Sequence, residues 1–259
     1  MDLGISGLNA LVLGSSQGLG FSCAKALAEA GACVVVNGRD QKKAEAAATS
    51  IGHGAAAVAG DVSDPEGRAR IVEEARALTG PISILVTNAG GPPPGPLETH
   101  GHDVWLKALE NNMLSAIDMV RLVLPGMREA GFGRIVNVTS FTVREPYPNM
   151  GLATGVRAGL TGAMASLARE VAAEGITVNN LLPGLMDTGA LKRVYDAQAA
   201  RENITPEAAK TRMADSVPMK RLGEADDFGP VCAFLCSRHA GYMTGQNITV
   251  DGGLVRALL

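Results

Sequence analysis

Aromatic residues are scarce, five Phe, three Tyr and one Trp in 259 residues, so no stacking platform for single-stranded nucleic acid is present. Basic charge is not in excess either. Lys and Arg number 23 against 26 Asp and Glu, a formal net charge of −3. Nucleic acid and anionic membranes both reward a basic patch, so neither is expected as the main partner. Apolar runs never approach the ~18 residues that a transmembrane helix requires. The start, Met-Asp-Leu-Gly-Ile-Ser, has neither the basic segment nor the apolar stretch of a signal peptide. A cytoplasmic enzyme or binding protein is the expectation. The four cysteines, at 23, 33, 232 and 236, form no CxxC pair, and the histidines at 53, 100, 102 and 239 share no ligand-like spacing with them, so no metal site is expected. Cys232 and Cys236 lie one turn apart in an apolar helical run and read as packed core thiols.

What is present is alternation of period. Short apolar runs suited to strands occur at Asn9–Leu13, Cys33–Asn37, Ala55–Ala59, Ile82–Thr87, Arg134–Val138, Thr177–Leu181 and Asn247–Val250. Between them lie helical stretches at Gly18–Ala30, Gln41–Ile51, from Asp64-Pro65 to Leu78, about 102–124, about 150–174 and near 224–236. No composition break, linker or repeat interrupts the series. Alternating strand and helix with right-handed crossovers gives one α/β domain: a doubly wound Rossmann fold, a parallel sheet of about seven strands with helices on both faces.

The turn after the first strand reads Gly14-Ser15-Ser16-Gln17-Gly18-Leu19-Gly20, which is GxxxGxG. Glycine lets a backbone turn sharply against a pyrophosphate, and the helix N-terminus behind it offers free N–H groups and a positive partial charge. A tight turn without a ligand is the plainer reading. At the end of the second strand stand Asn37-Gly38-Arg39, with no carboxylate to read a ribose 2′-hydroxyl. The Arg39 fork suits a phosphate and favours NADP(H) over NAD(H), unless Arg39 merely pairs with Asp40.

With these pieces the chain resembles the short-chain dehydrogenase/reductase family, in particular its 3-oxoacyl-(acyl carrier protein) reductase-like group. The resemblance runs through Gly60-Asp61-Val62, Asn88-Ala89-Gly90, Asn112, Arg134 to Ser140, Val178 to Gly184 and Gly245 to Gly253, in order over almost the whole length. It implies a nicotinamide cofactor bound by Gly14, Ser16, Gln17, Gly18, Leu19, Gly20, Arg39, Asp61, Val62, Asn88, Ala89, Gly90, Arg157, Pro183, Gly184 and Thr188. Asp61 would accept from the adenine amino group, Asn88 would support the adenosine ribose, and Pro183, Gly184 and Thr188 would line the nicotinamide. The substrate would be a small carbonyl compound or acyl thioester, and the assembly a homodimer or homotetramer.

The resemblance also implies Asn, Ser, Tyr and Lys as proton machinery, where Lys four residues after Tyr makes a phenol that titrates near 10 usable as a base. Asn112 and Ser140 match. Counting thirteen on from Ser140 gives Ala153, and four further gives Arg157, followed by Ala158-Gly159-Leu160 in the family's register. Alanine transfers no proton; arginine keeps its charge and its donors. The candidate catalytic set is therefore Ser140, Asn112, Arg157 and Tyr147. Tyr147 lies between Pro146 and Pro148 and serves either as replacement acid or as a packed loop aromatic. The proline-rich Gly90–Pro96 is a stiff rim or a plain linker. His100 and His102 after it read as exposed loop residues. Residues 186–213 stand where the family has its substrate lid, with Leu191, Val194 and Tyr195 as an apolar stripe and Lys192, Arg193, Arg201 and Lys210 around it; Tyr195 is a weaker candidate acid. The apolar C-terminal residues 254–259 are expected to pack on a neighbouring subunit. An atypical oxidoreductase, a non-redox dehydratase or isomerase, and a silent nucleotide-binding subunit all fit this pattern.

Overall fold

The computed structural model describes residues 1–258. The chain runs β1 Asn9–Val12, α1 Gly18–Glu29, β2 Cys33–Gly38, α2 Gln41–Ile51, β3 Ala56–Ala59, α3 Pro65–Thr79, β4 Ile84–Thr87, α4 His102–Leu109, a π-turn Glu110–Leu114, and α5 Ser115–Ala130. It continues through β5 Gly133–Val138, α6 Gly151–Val171, β6 Ile176–Pro183, α7 Gly189–Glu202, α8 Pro206–Ser216, α9 Ala225–Cys236 and β7 Asn247–Val250. The strands pair in parallel in the order β3-β2-β1-β4-β5-β6-β7. The order reverses direction beside β1 and β4, and the crevice above their C-terminal ends is where such a sheet takes a ligand.

Successive residues of a strand point to opposite faces, and the core divides accordingly. Ala10 and Val12 pack with α1, α2 and α9 on one face. Leu11 and Leu13 pack with α3, α5 and α6 on the other. Burial of both faces explains why the strands read as continuous apolar runs. One polar row crosses this apolar sheet. Thr87 donates to Asn137 at 2.7 Å, Asn137 to Asn180 at 3.2 Å, and Asn180 to Asn247 at 2.8 Å. These residues are register partners on β4, β5, β6 and β7, so a one-residue slip would orphan buried amides.

Three sequence expectations need correction. The helix expected over about 102–124 is two helices joined by the π-turn, and it extends to Ala130. His100 is half-buried, with its Nε2 enclosed and unbonded, whereas His102 is exposed as expected, at the first turn of α4. The C-terminal apolar residues do not all wait for a neighbour: Leu254 and Val255 pack within the chain against the cluster around α7 and α8, while Leu258 is exposed and Leu259 lies outside the described residues. The cysteine reading holds. All four are free, and Cys23, Cys232 and Cys236 are buried together between α1 and α9. The hydrogen bond shared with Cys23, with burial, pushes the Cys232 thiol up, and the bond with Cys232, with burial, does the same for Cys236.

Candidate active site

The glycine turn is shaped by contacts that leave no room for a side chain. Gly14 and Gly18 have φ of +54° and +62°. A Cβ on Gly20 would fall 2.4 Å from the Gly14 carbonyl oxygen and 2.8 Å from Asn88 Nδ2. Asn88 Nδ2 donates to that same carbonyl at 3.0 Å, which ties the end of β4 to the turn after β1. Ser15, fully buried, closes the turn from below by donating to the Val12 carbonyl and accepting from the Asn37 amide. The N-terminus of α1 has no side-chain cap and no acidic residue in its first turn. Its N–H groups are free for an anion, which is the arrangement a pyrophosphate needs. The residues present therefore fit a dinucleotide.

Around this cradle the expected cofactor residues fall at the C-terminal ends of the strands. Ser16 lies beside Gly38 at the end of β2, where a Cβ would meet it at 3.1 Å. Arg39 is exposed and has no ion pair among the described residues. Asp40 does not pair with it; its carboxylate caps α2 by accepting from the Lys43 amide at 3.0 Å. Asp61 accepts from the Ser63 amide at 2.9 Å. Gly184 passes so close to Asp251 that a Cβ there would clash at 2.5 Å, and Thr188 sits 4.0 Å from where a Gly18 Cβ would be.

One cavity gathers Val62, Thr87, Asn88, Ala89, Asn112 and Arg157. Arg157 is half-buried, and its guanidinium donates to the carbonyls of Val138 and Thr139 at the end of β5. No carboxylate pairs with it among the described residues. Desolvation alone lowers its pKa to about 10, which still leaves it a cation at neutral pH. Ala153 is buried on the same helix. Asn112 lies in the π-turn, buried.

Ser140 and Tyr147 do not line that cavity. The Ser140 hydroxyl accepts from the Thr142 amide at 3.2 Å and the Thr142 hydroxyl at 3.0 Å. Its own proton stays free to donate. Tyr147 is half-buried, edge-on to Phe141 with centroids 5.6 Å apart, in a cluster with Leu191, Val194 and Tyr195 of α7 and Leu254 and Val255 of the C-terminus. The apolar stripe read from the sequence is thus real, and it packs on the segment after β5. Tyr195 is buried inside that cluster. The cations of α7 and α8 are largely paired locally: Lys192 with Asp196, Lys210 with Asp187, and Arg201 and Arg212 with Glu202. The proline segment is pinned by the Gly95 amide, which donates to the Asn149 carbonyl at 2.8 Å.

Comparison with known proteins agrees with this layout. Residues 14–255 match the family model described as enoyl-(acyl carrier protein) reductase. The chain belongs to the short-chain dehydrogenase/reductase family. It is 34% identical over 250 residues to the 3-oxoacyl-[acyl-carrier-protein] reductase FabG of Haemophilus influenzae, covering 96% of this chain and 99% of that one. It is 30% identical to the NADPH-dependent reductase BacG of Bacillus subtilis over 96% and 98% of the two chains. Among solved structures, the L-sorbose reductase of Gluconobacter frateurii, complexed with NADPH and L-sorbose, superposes with a TM-score of 0.94 at 31% identity over the full length of both chains. This chain is thus a 3-oxoacyl reductase-like member of an oxidoreductase family, and among its described residues no helix is long and apolar enough to cross a membrane.

Two contributors escaped the sequence reading. Arg68, almost fully buried on α3, holds Glu110 at the start of the π-turn and Asp118 in the first turn of α5. The asparagine row across the sheet was equally unread. Neither leaves a local sequence signal, because each depends on partners about 40 or more residues away.

Proposed function

We propose that the protein is an NADP(H)-dependent oxidoreductase interconverting a carbonyl and a hydroxyl, on a 3-oxoacyl or small-ketone substrate, with Ala153 and Arg157 standing where relatives place Tyr and Lys. The supporting observation is the cradle of Gly14, Gly20 and Asn88 before an uncapped helix N-terminus. The unpaired Arg39 next to Gly38 in the chain supports NADP(H), because the adjacent carboxylate, Asp40, is spent on a helix cap. The NADPH-bound sorbose reductase supports the same choice. In this reading Gly14, Ser16, Gln17, Gly18, Leu19 and Gly20 face the pyrophosphate and 2′-phosphate. Asp61, Val62, Asn88, Ala89 and Gly90 border the adenosine, and Pro183, Gly184 and Thr188 border the nicotinamide.

A reduced nicotinamide, when bound, supplies the hydride. The chain's own work is polarisation and proton supply. Ser140, its lone pairs occupied by Thr142, donates to the substrate oxygen. Arg157 keeps a fixed positive charge beneath the site and holds the end of β5, hence Ser140, in place. Tyr147 delivers the proton, its hydroxyl having no hydrogen-bond partner among the described residues. The lid would close from residues 186–213, and the chain would act in the cytoplasm as a homodimer or homotetramer.

The test is NADPH consumption against 3-oxoacyl thioesters, diketones and quinones. Turnover of at least one class is expected. NADPH binding without any turnover would instead support a silent nucleotide-binding subunit, the reading that the buried Ala153 favours. A dehydratase or isomerase reading would gain from product formation with no change in NADPH.

A further inference from the structure

We infer that Arg68 is the positioning residue for Asn112, and that its guanidinium joins the Asp61–Val62 loop to the π-turn carrying Asn112. The inference rests on the nucleotide reading above. Arg68 is only 2% exposed. Its Nε donates to the Val62 carbonyl at 2.7 Å, its Nη1 to Asp118 Oδ2 at 2.7 Å, and its Nη2 to Glu110 Oε1. Three separate pieces therefore meet on one side chain: the loop after β3, the first residue of the π-turn, and the first turn of α5.

The spacing of the two carboxylates explains why the pairing selects a π-turn. In an unbroken α-helix, residues eight apart lie about 80° apart around the axis, since each step is ~100°. With one residue looped out, the same pair behaves as if seven steps apart and falls within about 20°. Glu110 and Asp118 then share a face, where the planar fork of one arginine reaches both. The i to i+5 bond is present, from the Ser115 amide to the Glu110 carbonyl. The Ser115 hydroxyl donates to the Asn111 carbonyl at 2.8 Å and satisfies a group that the irregular turn frees. Relaxation to plain α-helix would rotate Asn112 by about 100° relative to one flank of the helix. Val62, Asn111 and Asn112 line the same cavity as Asn88 and Arg157, so both arms of the clamp end at the proposed cofactor cleft.

The consequence is coupling. A ligand that fixes the Asp61–Val62 loop also fixes the π-turn, through Arg68. Adenosine 2′,5′-bisphosphate carries the adenine half of NADP without the nicotinamide, which makes it the probe. Bound to the wild-type protein, it should slow amide hydrogen exchange at residues 111–116 by about tenfold or more. Glu110→Gln, at the partly exposed end of the clamp, should bind the bisphosphate within about threefold of wild type yet lose that protection. Arg68→Lys keeps the charge but cannot fork, and should lose it too; Asp118→Asn checks the other arm in the same way. Protection that survives in both Arg68→Lys and Glu110→Gln would overturn the inference. So would wild-type protein that binds the bisphosphate without protecting 111–116. If neither the bisphosphate nor NADPH binds wild-type protein, the nucleotide reading itself fails, and the inference falls with it.

Discussion

The glycine turn between β1 and α1 is fixed by close approach to its backbone, whereas the segment between β5 and α6 is fixed by contacts among side chains. In the first, the Gly14 carbonyl meets Asn88 and excludes any Cβ at Gly20. In the second, Thr142 supports Ser140, Phe141 supports Tyr147, and Arg157 holds the carbonyls of Val138 and Thr139. The difference teaches where this fold tolerates change. Where the Gly14 carbonyl lies 2.4 Å from a Cβ, as at Gly20, only glycine fits, so that part of the sequence stays recognisable. A wall made of side chains can be rebuilt, and the proposed function puts Ala153 where a phenol is expected and Tyr147 in its role.

The harshest way to break the comparison is to fill the cradle. Gly20→Val should abolish NADPH binding, read by fluorescence titration, and overpacking of this kind costs about 1–3 kcal/mol of stability. Unchanged binding would mean the turn is not the phosphate site. In the segment between β5 and α6, Tyr147→Phe keeps the packing on Phe141 and should lower turnover by about 10²–10⁴, the usual effect of losing a general acid. A change below about threefold would pass the role to water.

Between the two regions runs the polar row of the sheet. Asn137→Leu orphans the Thr87 hydroxyl and an Asn180 carboxamide, and should cost about 1–3 kcal/mol for each group left unpaired. Calorimetry would read it as a midpoint lower by several degrees, with NADPH affinity little changed. Arg39→Asp should weaken NADPH relative to NADH by about tenfold, since a charge-assisted bond contributes about 1.5–3 kcal/mol. Equal weakening of both would remove the preference for the phosphorylated cofactor. The smallest effect concerns pH. Arg157 has a folded pKa of about 10, below its unfolded value, so it binds its proton in both states under neutral conditions. Below about pH 10 its burial cost is constant, and stability gains from its deprotonation only above that. NADPH affinity should therefore be flat between about pH 7 and 9; an inflection there would mean that another group titrates against the cofactor.

Much of this was legible in the primary structure because it rests on local rules. Strands buried on both faces read as unbroken apolar runs such as Val34, Val35 and Val36, and Asp64-Pro65 announces the start of a helix. Even the apolar stripe of Leu191, Val194 and Tyr195 could be read, since helical spacing is a property of neighbours along the chain. The π-turn was not, because the residues Glu110–Leu114 have ordinary helical propensities and only a distant arginine makes the irregular turn preferable.

Residue order alone thus determined the alternating layers, the glycine turn and the absence of an acid at the end of β2. Tertiary structure decided the rest: that Asp40 caps a helix and leaves Arg39 free, that Arg157 turns its donors to β5, that Leu254 and Val255 fold back onto the α7 cluster, and that Arg68 reaches both flanks of Asn112. The physical reason is range. Backbone geometry and burial patterns are written within a few residues, but a buried charge is defined by whichever groups the packed chain brings within about 3 Å of it, and those lie far away in sequence.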